Sequence, residues 1–157
     1  MIGHPKVLEE LRKLLKCELT AINQSFLHAR MCLDWGYEGV AKRIRKDSIA
    51  NMLFAEQLID RILFLEGMPS LRDTHAMSIG DDVAKIHAND RALAVKTAES
   101  ANHGINVCVK NNDDTSRELI ESILAQEEDR IDWLESQLQI IEDAGLGLYL
   151  SQQIRRG

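Results

Sequence analysis

The run LRKLLKCELTAI, residues 11–22, decides how this chain is read, because a carboxylate stands in the middle of an apolar helical stripe. Leu11, Leu15, Glu18, Ile22, Ala29 and Leu33 keep the spacing of one helix face, with Ser25 or Phe26 at the turn between. A second stripe repeats the arrangement with Ile120, Leu124, Glu127, Ile131, Leu134, Leu138 and Ile141. Moving a carboxylate from water into such a face costs several kcal/mol unless it is paired or bound to metal. Two of them, in two long amphipathic helices, mark a buried polar layer.

Working outward, the punctuation predicts four long helices and a short fifth. The first runs from about Pro5, tolerated in a first turn, to Trp35 before Gly36. The second spans about Gly39 to Glu66 and stops at Gly67, with Pro69 beyond. The third opens at Asp81–Asp82 and closes at the Asn111–Asp114 cluster. Thr115 with Glu118 reads as a capping box opening the fourth, which ends before Gly145. Leu148 to Arg155 forms the short fifth segment. Residues 68–81 have no helical period. Short links after the first and third helices imply antiparallel hairpins, and the long middle link allows a crossover along the bundle. The expectation is an all-α ferritin-like four-helix bundle, one domain over residues 1–157.

Composition agrees with a helical protein that has a full core: 157 residues, 45% apolar, 28% charged, only two prolines. A net charge of -6 without a basic block argues against nucleic acid as a partner. No apolar run approaches the ~20 residues that span a membrane, and the N-terminus lacks a signal-peptide profile. Cys17, Cys32 and Cys108 are odd in number and dispersed, which points to reduced thiols packed in a cytoplasmic protein.

Periodicity gives the second helix an inner face of Ile44, Asn51, Phe54, Leu58, Ile62 and Leu65, and the third one of Val83, Ala94, Ala98, Ala101 and Ile105. The inward layer is then Glu18, Asn51, Phe54, Ala94, Glu127 and Arg130. A bundle that holds two metals supplies a Glu from each of two helices and a Glu-x-x-His from each of the others. The segments ELTAINQ (18–24), FLHARM (26–31), RILFLEG (61–67) and IDWLE (131–135) make the chain resemble bacterioferritin over essentially its whole length. That resemblance implies Glu at positions 18, 51, 94 and 127 and His at 54 and 130. Glu18 and Glu127 match; Asn51, Phe54, Ala94 and Arg130 do not. Two iron ions would lack most of their ligands here. The expectation is that the Arg130 guanidinium satisfies both carboxylates in place of metal, with Phe54 filling the volume of an imidazole. Lys46 and Ala50 likewise stand where the family tends to carry His and Asp for iron on the inner surface.

The second helix carries another line, Ile49, Met52 and Ile59 with Arg45 and Glu56, and the first a partner line of Leu19, Ile22, Asn23 and Phe26. A helix apolar on two faces buries one in the core and the other in an interface. A two-fold contact would bring Met52 against its own symmetry mate. The resemblance implies that two such thioethers ligate one haem b per subunit pair, with Ile22, Asn23, Phe26 and Ile49 lining the pocket. Arg45 replaces a common Tyr, and either pairs with a haem propionate or disturbs the pocket.

Taken together, the resemblance implies an iron-storing subunit of a twenty-four-subunit cage. It would carry electrons through haem for release of stored mineral, while a ferroxidase-competent sister subunit performs oxidation. A bacterioferritin-associated ferredoxin would deliver the electrons, with Met31 and Met68 as docking positions. Two alternatives stand beside this: an active ferroxidase with a reduced ligand set, and a haem-free structural cage subunit. The five histidines, 4, 28, 75, 87 and 103, show no ligand spacing and read as surface or capping residues, and Trp35 and Trp133 as packing.

Overall fold

The computed structural model describes residues 1–154. Five helices follow in order: α1 (Pro5–Asp34), α2 (Glu38–Phe64), α3 (Val83–Lys110), α4 (Asp114–Ala144) and α5 (Leu146–Ser151). Arg155, the expected end of the fifth segment, lies outside the described residues, and α5 begins two residues earlier than its spacing suggested. No strand occurs among the described residues.

The helix ends follow from local chemistry. Pro5 occupies the first turn of α1, and the His4 ring accepts the Lys6 amide at 3.1 Å as its cap. Asp82 caps α3 by accepting from the Lys85 amide at 2.8 Å. For α4 the cap is Asp113, whose carboxylate accepts the Ser116 amide at 3.0 Å; Thr115 lies inside the helix, which corrects the expected capping box. Gly145, at φ 89°, ends α4 in a conformation that a side chain resists.

Three-residue links join α1 to α2 and α3 to α4, and these pairs form the antiparallel hairpins of a four-helix bundle. The long crossover climbs α1 on a ladder of side-chain bonds. Arg12 Nε donates to the Met68 carbonyl (3.1 Å) and the His75 amide donates to Thr20 Oγ1 (2.8 Å). Farther up, the Ser78 amide donates to Gln24 Oε1 (3.0 Å) and the Gly80 amide to His28 Nε2 (3.1 Å). These rungs carry the chain from the N-terminal end of α1 to its C-terminal end, so α3 runs antiparallel to α1.

The core divides into two apolar clusters with a polar layer between them. Val7, Leu11, Leu14, Leu58, Ile62 and Ile120 anchor one, and Cys32, Val40, Ile44, Val83, Ile86 and Tyr149 the other. Side chains buried at this density each contribute roughly 1.5–3 kcal/mol through the hydrophobic effect. The buried faces are rotated slightly from the expected stripes. In α4 the inward residues are Ile120, Ile123, Glu127, Arg130 and Leu134, with Leu124 and Ile131 half-buried. In α2, Asp47 and Ala55 face inward, while Phe54 is only half-buried and packs at the edge of the first cluster. Leu33, placed on the inner face of α1 by its spacing, is 40% exposed.

Candidate functional site

The layer between the clusters brings together Glu18 from α1, Asn51 from α2, Ala94 from α3, and Glu127 and Arg130 from α4, all buried. Asn51 is its hinge. Its amide Nδ2 donates to Glu18 Oε2 at 2.8 Å, and its Oδ1 accepts from Arg130 Nη2 at 2.8 Å. The same Arg130 Nη2 also donates to the Asp47 carbonyl at 2.9 Å. Arg130 Nη1 lies 3.8 Å from Glu127 Oε2, close enough to attract but too far to hydrogen-bond. The expected double bridge from Arg130 to both carboxylates is therefore replaced by a relay: Arg130 reaches Glu18 only through Asn51. Geometry explains this, because Arg130 follows Glu127 by one helical turn and its side chain extends toward α2. The expected filling of the layer by Phe54 is also corrected, since that ring stands at the edge.

Sequence reasoning missed Asp47. Its carboxylate lies 3.7 Å from Arg130 Nε and accepts from Arg43 Nε at 3.2 Å. A signal existed: Asp47 lies four residues before Asn51, on the same face as Ile44.

Electrostatics follow from burial. Glu18 Oε1 and Glu127 Oε2 have no hydrogen-bond partner among the described residues. Burial, reinforced by the Glu127 charge, raises Glu18 to about 8, against the lowering pull of Asn51 and Arg130. Burial likewise raises Glu127, opposed by Arg130. Arg130 stays cationic, because surrounding carboxylates outweigh its desolvation. No three His, Cys, Asp or Glu side chains converge among the described residues in a way that could hold a metal ion.

The second predicted site lies on the outer face of the α1–α2 hairpin. Met52 is 53% exposed and Phe26 55%, and Ile49 and Asn23 are also open to solvent. Ile22 is half-buried beneath them, and Ser48 Oγ donates to its carbonyl at 3.1 Å, tying the two helices together. Arg45 is exposed one turn before Ile49.

Two of the histidines read as surface or capping residues, His28 and His87, are instead fully buried. Because Gly80 donates to His28 Nε2, the ring proton sits on Nδ1 and is donated to Asp90 Oδ1 at 2.8 Å. Gln24 Nε2 donates to the same oxygen at 2.9 Å. Tyr149 donates its hydroxyl proton to Gln137 Oε1 (2.7 Å), so His87 Nε2 must donate to the Tyr149 oxygen, 3.1 Å away. That leaves His87 Nδ1 as a buried acceptor without a partner among the described residues, and burial lowers this histidine to about 4. Trp133 packs edge-on to His87 with ring centroids 5.3 Å apart, beneath the Arg43 guanidinium. His103 is exposed and bonds Glu10 at 2.6 Å, while His75 is half-buried between Lys96 and Cys17. All three cysteines are buried and free.

A crossover bundle with two glutamates facing each other across α1 and α4 defines a ferritin-like domain, and the model of that family matches residues 8–144. Relatives narrow the class. The chain is 41% identical to a bacterioferritin of Streptomyces coelicolor, over 99% of this chain and 93% of the relative. It is 38% identical to one of Mycobacterium leprae, over 99% and 98%, and 39% identical to one of Brucella melitensis, over 92% and 90%. The chain belongs to the bacterioferritin family.

Proposed function

We propose that this chain is an iron-storage subunit, a single domain over residues 1–157, whose own di-iron centre has been replaced and which serves its cage through haem. The observation that carries the reading is the Arg130–Asn51–Glu18 relay. A guanidinium brings fixed positive charge to the place where two iron ions would need negative charge, and Asn51 and Ala94 offer no carboxylate. The residues present therefore do not fit a pair of iron ions, and oxidation of Fe(II) is assigned to a ferroxidase-competent sister subunit in a mixed cage.

The residues of the α1–α2 face do fit a haem. A solvent-exposed thioether at Met52 is flanked by Ile49 and Phe26 with Ile22 beneath, an apolar surface that the other described residues leave open. In this reading a second copy covers that face, Met52 of each copy would hold the haem iron, and Asn23 would line the rim. Bound there, haem would supply a one-electron redox centre whose ferrous state the soft thioethers favour. A bacterioferritin-associated ferredoxin is the expected electron donor; Met68 is exposed for docking, while Met31 is half-buried.

The test combines two measurements on the purified homomer. Aerobic Fe(II) oxidation should run no faster than in buffer, and added haem should give a Soret band at one haem per two chains. Rapid oxidation of two Fe(II) per chain would establish an active ferroxidase instead, and the absence of a Soret band at any loading a structural subunit.

A further inference from the structure

The face of α2 that carries Met52 changes character along its length. Lys42, Arg45, Ile49 and Met52 follow at intervals of three, four and three residues, one continuous stripe about 15 Å long. Its first half is cationic and its second half apolar.

Two clefts open beside the cationic half and share Lys42 and Arg45 in their walls. One, about 420 Å³, lies between α1 and α2, with Arg30 of α1 facing Lys42 and Arg45 over an apolar floor of Ala29, Leu33 and Ala41. The other, about 480 Å³, adds Lys46 and reaches Ile49, one turn from Met52. Among the described residues, Arg43 is the only cation of this group with carboxylate partners, Asp47 and Asp129. Among the described residues Arg30, Lys42, Arg45 and Lys46 have none, and Glu38 is the one acid in either wall. In a chain of net charge -6, four unpaired cations beside one apolar stripe form a local field for anions. The apolar floor selects further: a bare inorganic anion has no use for it, whereas an organic body edged with carboxylates meets both halves.

The geometry points to this cationic groove as the seat of the carboxylate edge of a porphyrin, with Arg45 and Lys42 from α2 and Arg30 from α1 holding the propionates. The assignment rests on the haem reading above and adds to it the residues that select an acidic porphyrin and fix its orientation. Arg45 thereby takes a positioning role: it anchors one edge of the ligand while Met52 lies about two helical turns farther along the same face.

The homomer is titrated with haem and with haem dimethyl ester, whose propionates are capped and uncharged. Wild type, Lys42→Gln/Arg45→Gln and Arg30→Gln are compared, and Met52→Leu reports ligation through the Soret position. The expected result is that wild type prefers haem over the ester by roughly tenfold or more, as for a charge-assisted hydrogen bond. Lys42→Gln/Arg45→Gln should narrow that preference to about twofold, while ester affinity and the Met52-dependent band stay in place. Equal affinity of wild type for both porphyrins, with the Met52-dependent band intact, overturns the groove and leaves the haem reading standing. No band, or a band indifferent to Met52→Leu, overturns the haem reading and the groove with it.

Discussion

Arg130 and Glu18 stand on opposite sides of the bundle and never touch. Asn51 joins them, accepting from one at 2.8 Å and donating to the other at 2.8 Å. A single asparagine amide donates to Glu18 and accepts from Arg130 at once, whereas an ionised carboxylate at that position would only accept. Removing one member should therefore cost more than its own bonds. Arg130→Leu leaves Glu127 and Asp47 without their buried cation and should destabilise the chain by about 3–5 kcal/mol near neutral pH. Asn51→Leu, which strips one bond from each neighbour, should cost about 1–3 kcal/mol. Urea unfolding of both variants checks the order; an Arg130→Leu protein as stable as wild type would refute the relay.

Glu18 gives a pH dependence with a defined sign. The folded chain keeps its proton up to about pH 8, whereas the unfolded chain releases it near 4.5. Its contribution is complete below pH 4.5 and is lost as pH rises through 8. Glu18→Gln mimics the protonated acid, so the variant's urea midpoint should gain on wild type steadily from pH 5 to 8. A difference that stays constant or reverses over that range counts against a proton held on Glu18.

His87 acts on the acid side with the opposite sign. Burial keeps its ring neutral until about pH 4, while an unfolded histidine protonates near 6.5. Stability from this group is present above 6.5 and declines as pH falls through 4. A histidine NMR titration should show one ring protonating near pH 4, and an all-normal set of histidines would contradict the burial of His87.

The crossover should loosen without the bundle melting. Gln24→Ala removes the acceptor of the Ser78 amide and a donor to Asp90. Hydrogen exchange across residues 74–82 should speed up by an amount corresponding to about 1–3 kcal/mol of local opening, with α2 and α4 unchanged. Gly80→Ala is harsher, because a Cβ there would sit 2.4 Å from the Ile86 backbone nitrogen. Its melting temperature should fall below that of Gln24→Ala; equal melting temperatures would mean the backbone gives way at the start of α3.

The helices and their order were legible in the sequence because their ends carry strong local signals: Pro5, Gly36, Asp82 and Gly145 stand where the structure starts and stops them. The α4 cap was misread because Asp113 and Thr115 both offer a capping oxygen, and only the bond to Ser116 separates them. Face orientation was ambiguous for a related reason. Ile123 beside Leu124 is apolar at both positions, so periodicity alone does not choose which one α3 and α2 will cover. Glu18 and Glu127 announced the layer, but the partner of Arg130 depends on side-chain reach across the bundle, which spacing does not encode. The His28–Asp90 pair was invisible, since no local pattern links residues 62 positions apart.

The ladder along α1 also bears on how the chain assembles. Each hairpin is closed by a three-residue link, whereas the rungs join partners separated by 52 to 56 residues. Closing so long a loop carries an entropy cost that local pairing avoids. The hairpins are therefore expected to form early and the strap to fasten last, so that Gln24→Ala speeds unfolding and leaves the refolding rate unchanged. Slowed refolding in that variant would place the strap in the folding nucleus. On the expected order, the bundle's topology is decided after most of its helices exist, by four side chains of a single helix.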